Sequence, residues 1–77
     1  MKDLVIRLKS VAEVQNLARL AVQEPYSIVV TDGEQVINAE SFMCMFCLDF
    51  RKPLVLRMDC TDEEFERFRL KAESIGN

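Results

Sequence analysis

The sequence has no histidine, and this absence excludes more chemistry than any other feature of its composition. Histidine is the usual general base near neutral pH, a common zinc ligand and the group that activates serine and cysteine nucleophiles. Most small enzymes depend on at least one of these roles. We therefore expect a protein that is not an enzyme and that needs no cofactor.

Glycine and proline are scarce, with two of each among 77 residues. This composition is unlike that of collagen-like, low-complexity or disordered chains. Basic residues are also too few for a protein that neutralises a phosphate backbone, since 10 Lys and Arg stand against 13 Asp and Glu. We expect one ordered domain, residues 1–77, with neither nucleic acid nor a membrane as its partner.

Long apolar stretches are missing from the beginning of the chain, where a charge interrupts residues 1–9 every few positions. This pattern is unlike the apolar core of a signal peptide or a membrane span. The three cysteines are an odd number, and they cannot all pair within one chain. We expect reduced thiols and a cytoplasmic protein.

Apolar residues recur at regular spacings along the whole chain. Alternation with a period of two predicts strands, and spacings of three and four predict helices. The dipeptide Asp32-Gly33 predicts a hairpin between the second and third strands. The strands are predicted at 3–9, 26–31, 35–37 and 54–59, and the helices at 11–23, at 42–48 and from Thr61 to about Ser74, with Gly76 as a C-cap.

The order of these elements is βαββαβα, which predicts an α+β fold with a four-stranded antiparallel sheet and three helices on one face. Ser10 with Glu13, and Thr61 with Glu64, have the spacing of capping boxes at the starts of the first and last helices. The acids 62–64 fit such a helix start better than a cation site. The predicted buried stripes are Val11, Val14, Leu17, Ala18, Ala21 and Val22 in the first helix, and Phe65, Phe68, Ala72 and Ile75 in the last.

The middle of the chain, V-I-N-A-E-S-F-M-C-M-F-C-L at positions 36–48, resembles HPr, the phosphocarrier of the bacterial sugar phosphotransferase system. The family pattern there is V-N-A-K-S-I-M-G-hydrophobic-M-S-L. Glu40, Cys44 and Cys47 stand where the family has lysine, glycine and serine. The resemblance implies an HPr-like open-faced sandwich over the whole chain. The agreeing residues are Asn38, Ala39, Ser41, Met43 and Leu48.

The resemblance fails at the family's active site. The family carries phosphate on a histidine in a G-L-H-A-R-P segment, and the matching positions here are Val14, Gln15 and Asn16, with no arginine close behind. The chain is therefore expected to be a non-catalytic regulatory or protein-binding module that cannot carry phosphate on histidine. The alternatives are a phosphocarrier-type component, by similarity, or a small thiol or metal-binding protein.

Ser41 matches the serine that an HPr kinase phosphorylates in the resembling family. A phosphate at a helix N-terminus would meet free backbone N–H groups and the positive end of the helix dipole. The alternative interpretation is that Ser41 is only the N-cap of the second helix, because serine often fills that role. Glu40 favours the alternative, since its negative charge would repel a phosphate.

The second predicted helix has two apolar sides. Helical spacing places Phe42, Met43 and Phe46 on one side, and Met45 and Leu48 on another. The resemblance implies that the first side docks protein partners, which include a transcription regulator, a metabolic enzyme or a second copy of the chain. The alternative interpretation is that so apolar a helix is simply buried.

Cys44 and Cys47 form a C-x-x-C pair in the same segment. Such a pair could be a redox couple or half of a thiolate metal site, with Cys60 as a third ligand. A single pair without histidine does not complete a zinc site, so no metal is predicted. The simpler interpretation is that both cysteines are small, buried packing residues.

Overall fold

A computed structural model of the protein describes residues 1–75, in which the four strands form one antiparallel sheet. The strands are β1 (Lys2–Ile6), β2 (Ile28–Thr31), β3 (Val36–Asn38) and β4 (Leu54–Met58), in the spatial order β1-β4-β2-β3. The two α-helices are α1 (Val11–Val22) and α2 (Asp62–Glu73). The predicted C-cap Gly76 lies outside the described residues.

Strand alternation divides the sheet into a covered and an uncovered face, as the sequence predicts. In β4, the side chains of Leu54, Leu56 and Met58 are fully buried in the core, whereas Arg57 is exposed on the other face. The helices complete the same core with their own buried residues, among them Phe68. Cross-strand pairing places one further row on the uncovered face, formed by Val5, Val55, Thr31 and Val36.

The prediction of three helices is wrong, because residues 1–75 form only two α-helices. The segment 42–48, predicted as the second helix, holds a four-residue 3₁₀ helix, Cys44–Cys47. Its hydrogen bonds span three residues: the N–H of Phe46 donates to the carbonyl of Met43, and that of Leu48 to Met45. Seven residues are too few to offset the cost of nucleating an α-helix, and 3₁₀ geometry is common in such short connections.

The two predicted helix starts are present, but only the second is a complete capping box. Thr61 accepts from the N–H of Glu64, whose carboxylate accepts from the N–H of Thr61 in return. At α1, Ser10 Oγ accepts from the N–H of Glu13 as predicted. The Glu13 carboxylate instead reaches one residue further back and accepts from the N–H of Lys9 at 2.8 Å.

The buried stripe of α1 is narrower than predicted. Val11 and Val22 are 56% and 61% exposed, so neither belongs to the core. They are the first and last residues of α1. The predicted residues that are buried are Val14, Leu17, Ala18 and Ala21.

Several element ends also differ from the predictions. Strand β1 ends at Ile6 because its pairing with β4 stops there, although Leu8 beyond it is still buried. Helix α2 ends at Glu73, and Ser74 is its C-cap. In the last helix Phe68, Ala72 and Ile75 are buried as predicted, and Phe65 is half-buried. No helix within residues 1–75 has the length and apolar character that spanning a bilayer requires.

Candidate functional site

Residues three apart lie above one another in a 3₁₀ helix, so the 3₁₀ helix Cys44–Cys47 and the residues beside it divide segment 42–48 into three edges. Met45 and Leu48 are buried, and Phe42, on the same edge, packs against the core. This edge anchors the segment to the domain. The other two edges face outward and consist of Met43 with Phe46 and of Cys44 with Cys47.

The outward apolar edge is strongly exposed to solvent, although its two side chains are large and apolar. Met43 is 75% exposed and Phe46 is 42% exposed. The ring of Phe46 stands edge-on between two half-buried rings, with centroid distances of 5.1 Å to Phe42 and 6.2 Å to Phe50. Such edge-to-face contacts are favourable for aromatic rings, so Phe46 is held in place although it is exposed to solvent.

A groove separates this aromatic row from the beginning of α1. Its volume is about 440 Å³, within the range of about 300–1,000 Å³ typical of ligand pockets. We call the surface formed by Met43, Phe46, Phe50, Leu8 and Val11 the Phe46 face. The groove is lined by Leu8, Lys9, Ser10, Val11, Val14, Phe46, Phe50 and Arg51.

Asp32, in the β2–β3 turn, ties the chain that follows the 3₁₀ helix to the sheet. Its Oδ1 accepts from the N–H groups of Gln35 and Glu34, and its Oδ2 accepts from the N–H of Asp49, all at 2.9 Å. These hydrogen bonds hold the pKa of Asp32 at about 2, below its ordinary value of 3.8. The carboxylate is therefore charged at neutral pH and fixes the position of the segment that leads into Phe50.

The side chain of Arg51, on the wall of the groove, is held by the same loop. Asp49 accepts from the Arg51 guanidinium through both carboxylate oxygens, at 3.0 and 3.1 Å. The guanidinium holds the pKa of Asp49 below its ordinary value. The groove wall is thus built from a fixed loop and an oriented cation.

The three residues predicted to dock a partner differ in exposure, although the rings of Phe42 and Phe46 are in contact. Met43 and Phe46 lie together on an exposed edge, but Phe42 lies on the buried edge. The prediction assumed 3.6 residues per turn, which would place all three together. Val11 and Phe50 also line the groove and were not predicted, although the spacing of four in Phe42, Phe46 and Phe50 was a readable signal for the aromatic row.

Ser41 is not a helix cap in the structure. It is half-buried, and the cap position of the 3₁₀ helix belongs to Met43, whose side chain makes no capping hydrogen bond. The predicted N-cap role of Ser41 is therefore wrong. The helix-dipole argument for a phosphate at this serine also fails, because a single 3₁₀ turn has little of the dipole of a longer α-helix.

The cysteines of the C-x-x-C pair are both exposed and free, so their predicted role as buried packing residues is wrong. Cys60, the third candidate ligand, follows β4 in the sequence and is half-buried. Residues 1–75 contain no group of three or more His, Cys, Asp or Glu that could hold a metal ion.

The positions that match the family's phosphohistidine region fall within α1. Val14 is buried and contributes to the groove, whereas Gln15 and Asn16 are exposed on the helix surface. The structure therefore brings the beginning of this degenerate region to the Phe46 face. No protein-family model matches the chain, and no curated protein matches it either.

Proposed function

We propose that the protein is a non-catalytic, HPr-like binding module of the cytoplasm that engages a protein partner through the Phe46 face. The observation that carries the proposal is the exposure of Met43 and Phe46 beside an apolar groove. A cluster of exposed apolar residues commonly marks an interaction site.

The chemistry of the face fits a protein better than a small polar ligand. Its centre is apolar, with the rings of Phe46 and Phe50 and the methyl groups of Val11 around the groove. Lys9 and Arg51 are exposed at the rim. An apolar centre with a polar rim is the usual anatomy of a protein interface, in which methionine and aromatic residues are enriched. A second copy of the chain is one such partner.

The relation to HPr supports this proposal through the sequence of segment 36–48 and the order of the elements. The structure has the implied antiparallel sheet, with a 3₁₀ helix where the resemblance implies an α-helix. The chain has no histidine, so transfer of a phosphoryl group through histidine is not available to it. The phosphocarrier alternative therefore has no residue to support it.

Regulation by an HPr kinase at Ser41 has only the family pattern in its favour, and the proposal does not include it. The half-buried position of Ser41 and the neighbouring Glu40 both act against a phosphate there, since the phosphate would need solvent and would be repelled by the carboxylate. Binding at the Phe46 face does not depend on this modification.

The experiment that tests the proposal compares three immobilised proteins: the wild type, Phe46→Asp and Leu70→Asp. Leu70 is 59% exposed on α2 and does not line the groove, so it is a matched apolar control. Proteins captured from a bacterial lysate would be identified by mass spectrometry, and sedimentation velocity would give the oligomeric state of each bait. We expect a specific captured protein, or a dimer, that Leu70→Asp retains and Phe46→Asp loses. Identical capture and identical oligomeric state for all three would contradict the proposal.

A further inference from the structure

The edge formed by Cys44 and Cys47 lies beside the Phe46 face but contributes nothing to the groove. Both thiols are exposed to solvent, and both residues belong to the same turn of 3₁₀ helix. Exposed cysteine pairs are uncommon on protein surfaces, because free cysteine is among the most buried residue types. The pair therefore calls for an explanation of its own.

The 3₁₀ geometry brings these two residues onto one line. Side chains three apart eclipse one another in a 3₁₀ helix, and the rise of about 2.0 Å per residue places their Cα atoms about 6 Å apart. Disulfides occur at Cα separations of about 4.4–6.8 Å.

We propose that Cys44 and Cys47 are a reversible dithiol–disulfide site that reacts with low-molecular-weight disulfides. The thiolate of one cysteine attacks a sulfur of the small disulfide, forming a mixed disulfide and releasing one small thiol. The second thiolate then attacks the protein sulfur of the mixed disulfide and releases the second small thiol. In total the two protein thiols lose two protons and two electrons, and one small disulfide becomes two small thiols.

The surroundings of the pair favour exchange over a permanent bond. Met45 and Leu48 anchor the segment from the buried side, so its backbone keeps both cysteines in one turn without a covalent link. A disulfide across a single exposed turn is accessible to attack, and exposed or strained disulfides are the ones that are readily reduced. Within residues 1–75 the pair has no further ligands of the kind that a closed zinc site requires.

The third cysteine, Cys60, is an internal reference for the reactivity of the two exposed thiols. It is half-buried just after β4, and burial, together with the charge of Glu64, raises the pKa of its thiol above the ordinary value. Since the thiolate is the reactive form, Cys60 is expected to react more slowly than an exposed thiol.

The test is the intact mass of the reduced protein after treatment with oxidised glutathione and then with an alkylating reagent. We expect the wild type to lose two of its three alkylatable thiols without retaining glutathione, and dithiothreitol to restore them. Cys60→Ser should show the same internal loss. Cys44→Ser and Cys47→Ser should each keep one glutathione on the remaining cysteine, because no second thiol is present to displace it.

Three results would overturn the proposal: a wild type that retains two glutathiones, a wild type that is not oxidised while the single variants are, and a disulfide that involves Cys60. None of these measurements uses the docking partner. The dithiol site can therefore fail while binding at the Phe46 face holds, and binding can fail while the dithiol site holds.

Discussion

Asp32 Oδ2 accepts a hydrogen bond from the backbone N–H of Asp49 at 2.9 Å, across 17 residues of sequence. The bond joins the β2–β3 turn to the loop that follows the 3₁₀ helix. Phe50, which lines the groove, comes directly after Asp49, so this carboxylate holds the chain next to that part of the wall. A residue in a hairpin turn thus holds the proposed binding surface in place.

The first prediction concerns Asp32→Asn. The amide has a single acceptor oxygen, so it cannot serve both the β2–β3 turn and the N–H of Asp49. We expect a lower urea midpoint at neutral pH and faster amide hydrogen exchange at Asp49. An unchanged midpoint together with unchanged exchange would show that the bond does not hold the loop.

The same carboxylate predicts a dependence of stability on pH. Folding lowers the pKa of Asp32 from an ordinary value of 3.8 to about 2. The stabilisation of the folded state by the Asp32 carboxylate is therefore fully present above about pH 4 and is lost as the pH falls towards 2. Urea unfolding of wild type and Asp32→Asn between pH 2 and 6 should give a stability difference that shrinks over that acidic range. A difference that stays constant down to pH 2 would count against the assigned hydrogen bonds.

The edges of segment 42–48 predict that alanine substitution lowers stability at one methionine and leaves it almost unchanged at another. Met45 is fully buried, so Met45→Ala should cost about 2–5 kcal/mol in the free energy of unfolding. Met43 is 75% exposed, and Met43→Ala should stay within about 0.5 kcal/mol of the wild type. Chemical denaturation measures both variants. Similar losses for the two would mean that the segment does not have the 3₁₀ arrangement described.

The setting of Ser41 predicts that an HPr kinase does not phosphorylate the protein. The wild type and Ser41→Ala would be incubated with an HPr kinase and ATP, and their intact masses compared. The structure removes the helix-cap setting that would favour a phosphate, so we expect the wild type to gain no phosphoryl group under conditions in which a true HPr is fully modified. Addition of one phosphoryl group to the wild type and none to Ser41→Ala would show that the family pattern outweighs the local structure.

The sheet and the two α-helices could be predicted from the sequence because their signals are local. Alternation along Leu54, Leu56 and Met58 identifies the covered face of β4, and the Thr61–Glu64 spacing identifies the start of α2. The hairpin at Asp32-Gly33 is confirmed, and Gly33 has the positive φ of 101° that glycine readily adopts.

The site was harder to predict because its determinants are not local. The run from Phe42 to Leu48 is apolar at nearly every position, so it fits a period of 3.6 as well as a period of 3.0, and the repeat alone does not distinguish them. The bond from Asp32 to Asp49 joins two distant turns. The groove also needs the position of α1, which places Val11 opposite Phe50.

The central claim is that the Phe46 face binds protein, and the dissociation constant of the captured complex, or of the dimer, tests it most directly. We predict that Phe46→Asp weakens binding by about 30-fold or more, the effect of losing a hot-spot residue worth at least about 2 kcal/mol. Leu70→Asp should bind as the wild type does, and the circular dichroism spectra of all three should coincide. Equal dissociation constants for wild type and Phe46→Asp would contradict the claim.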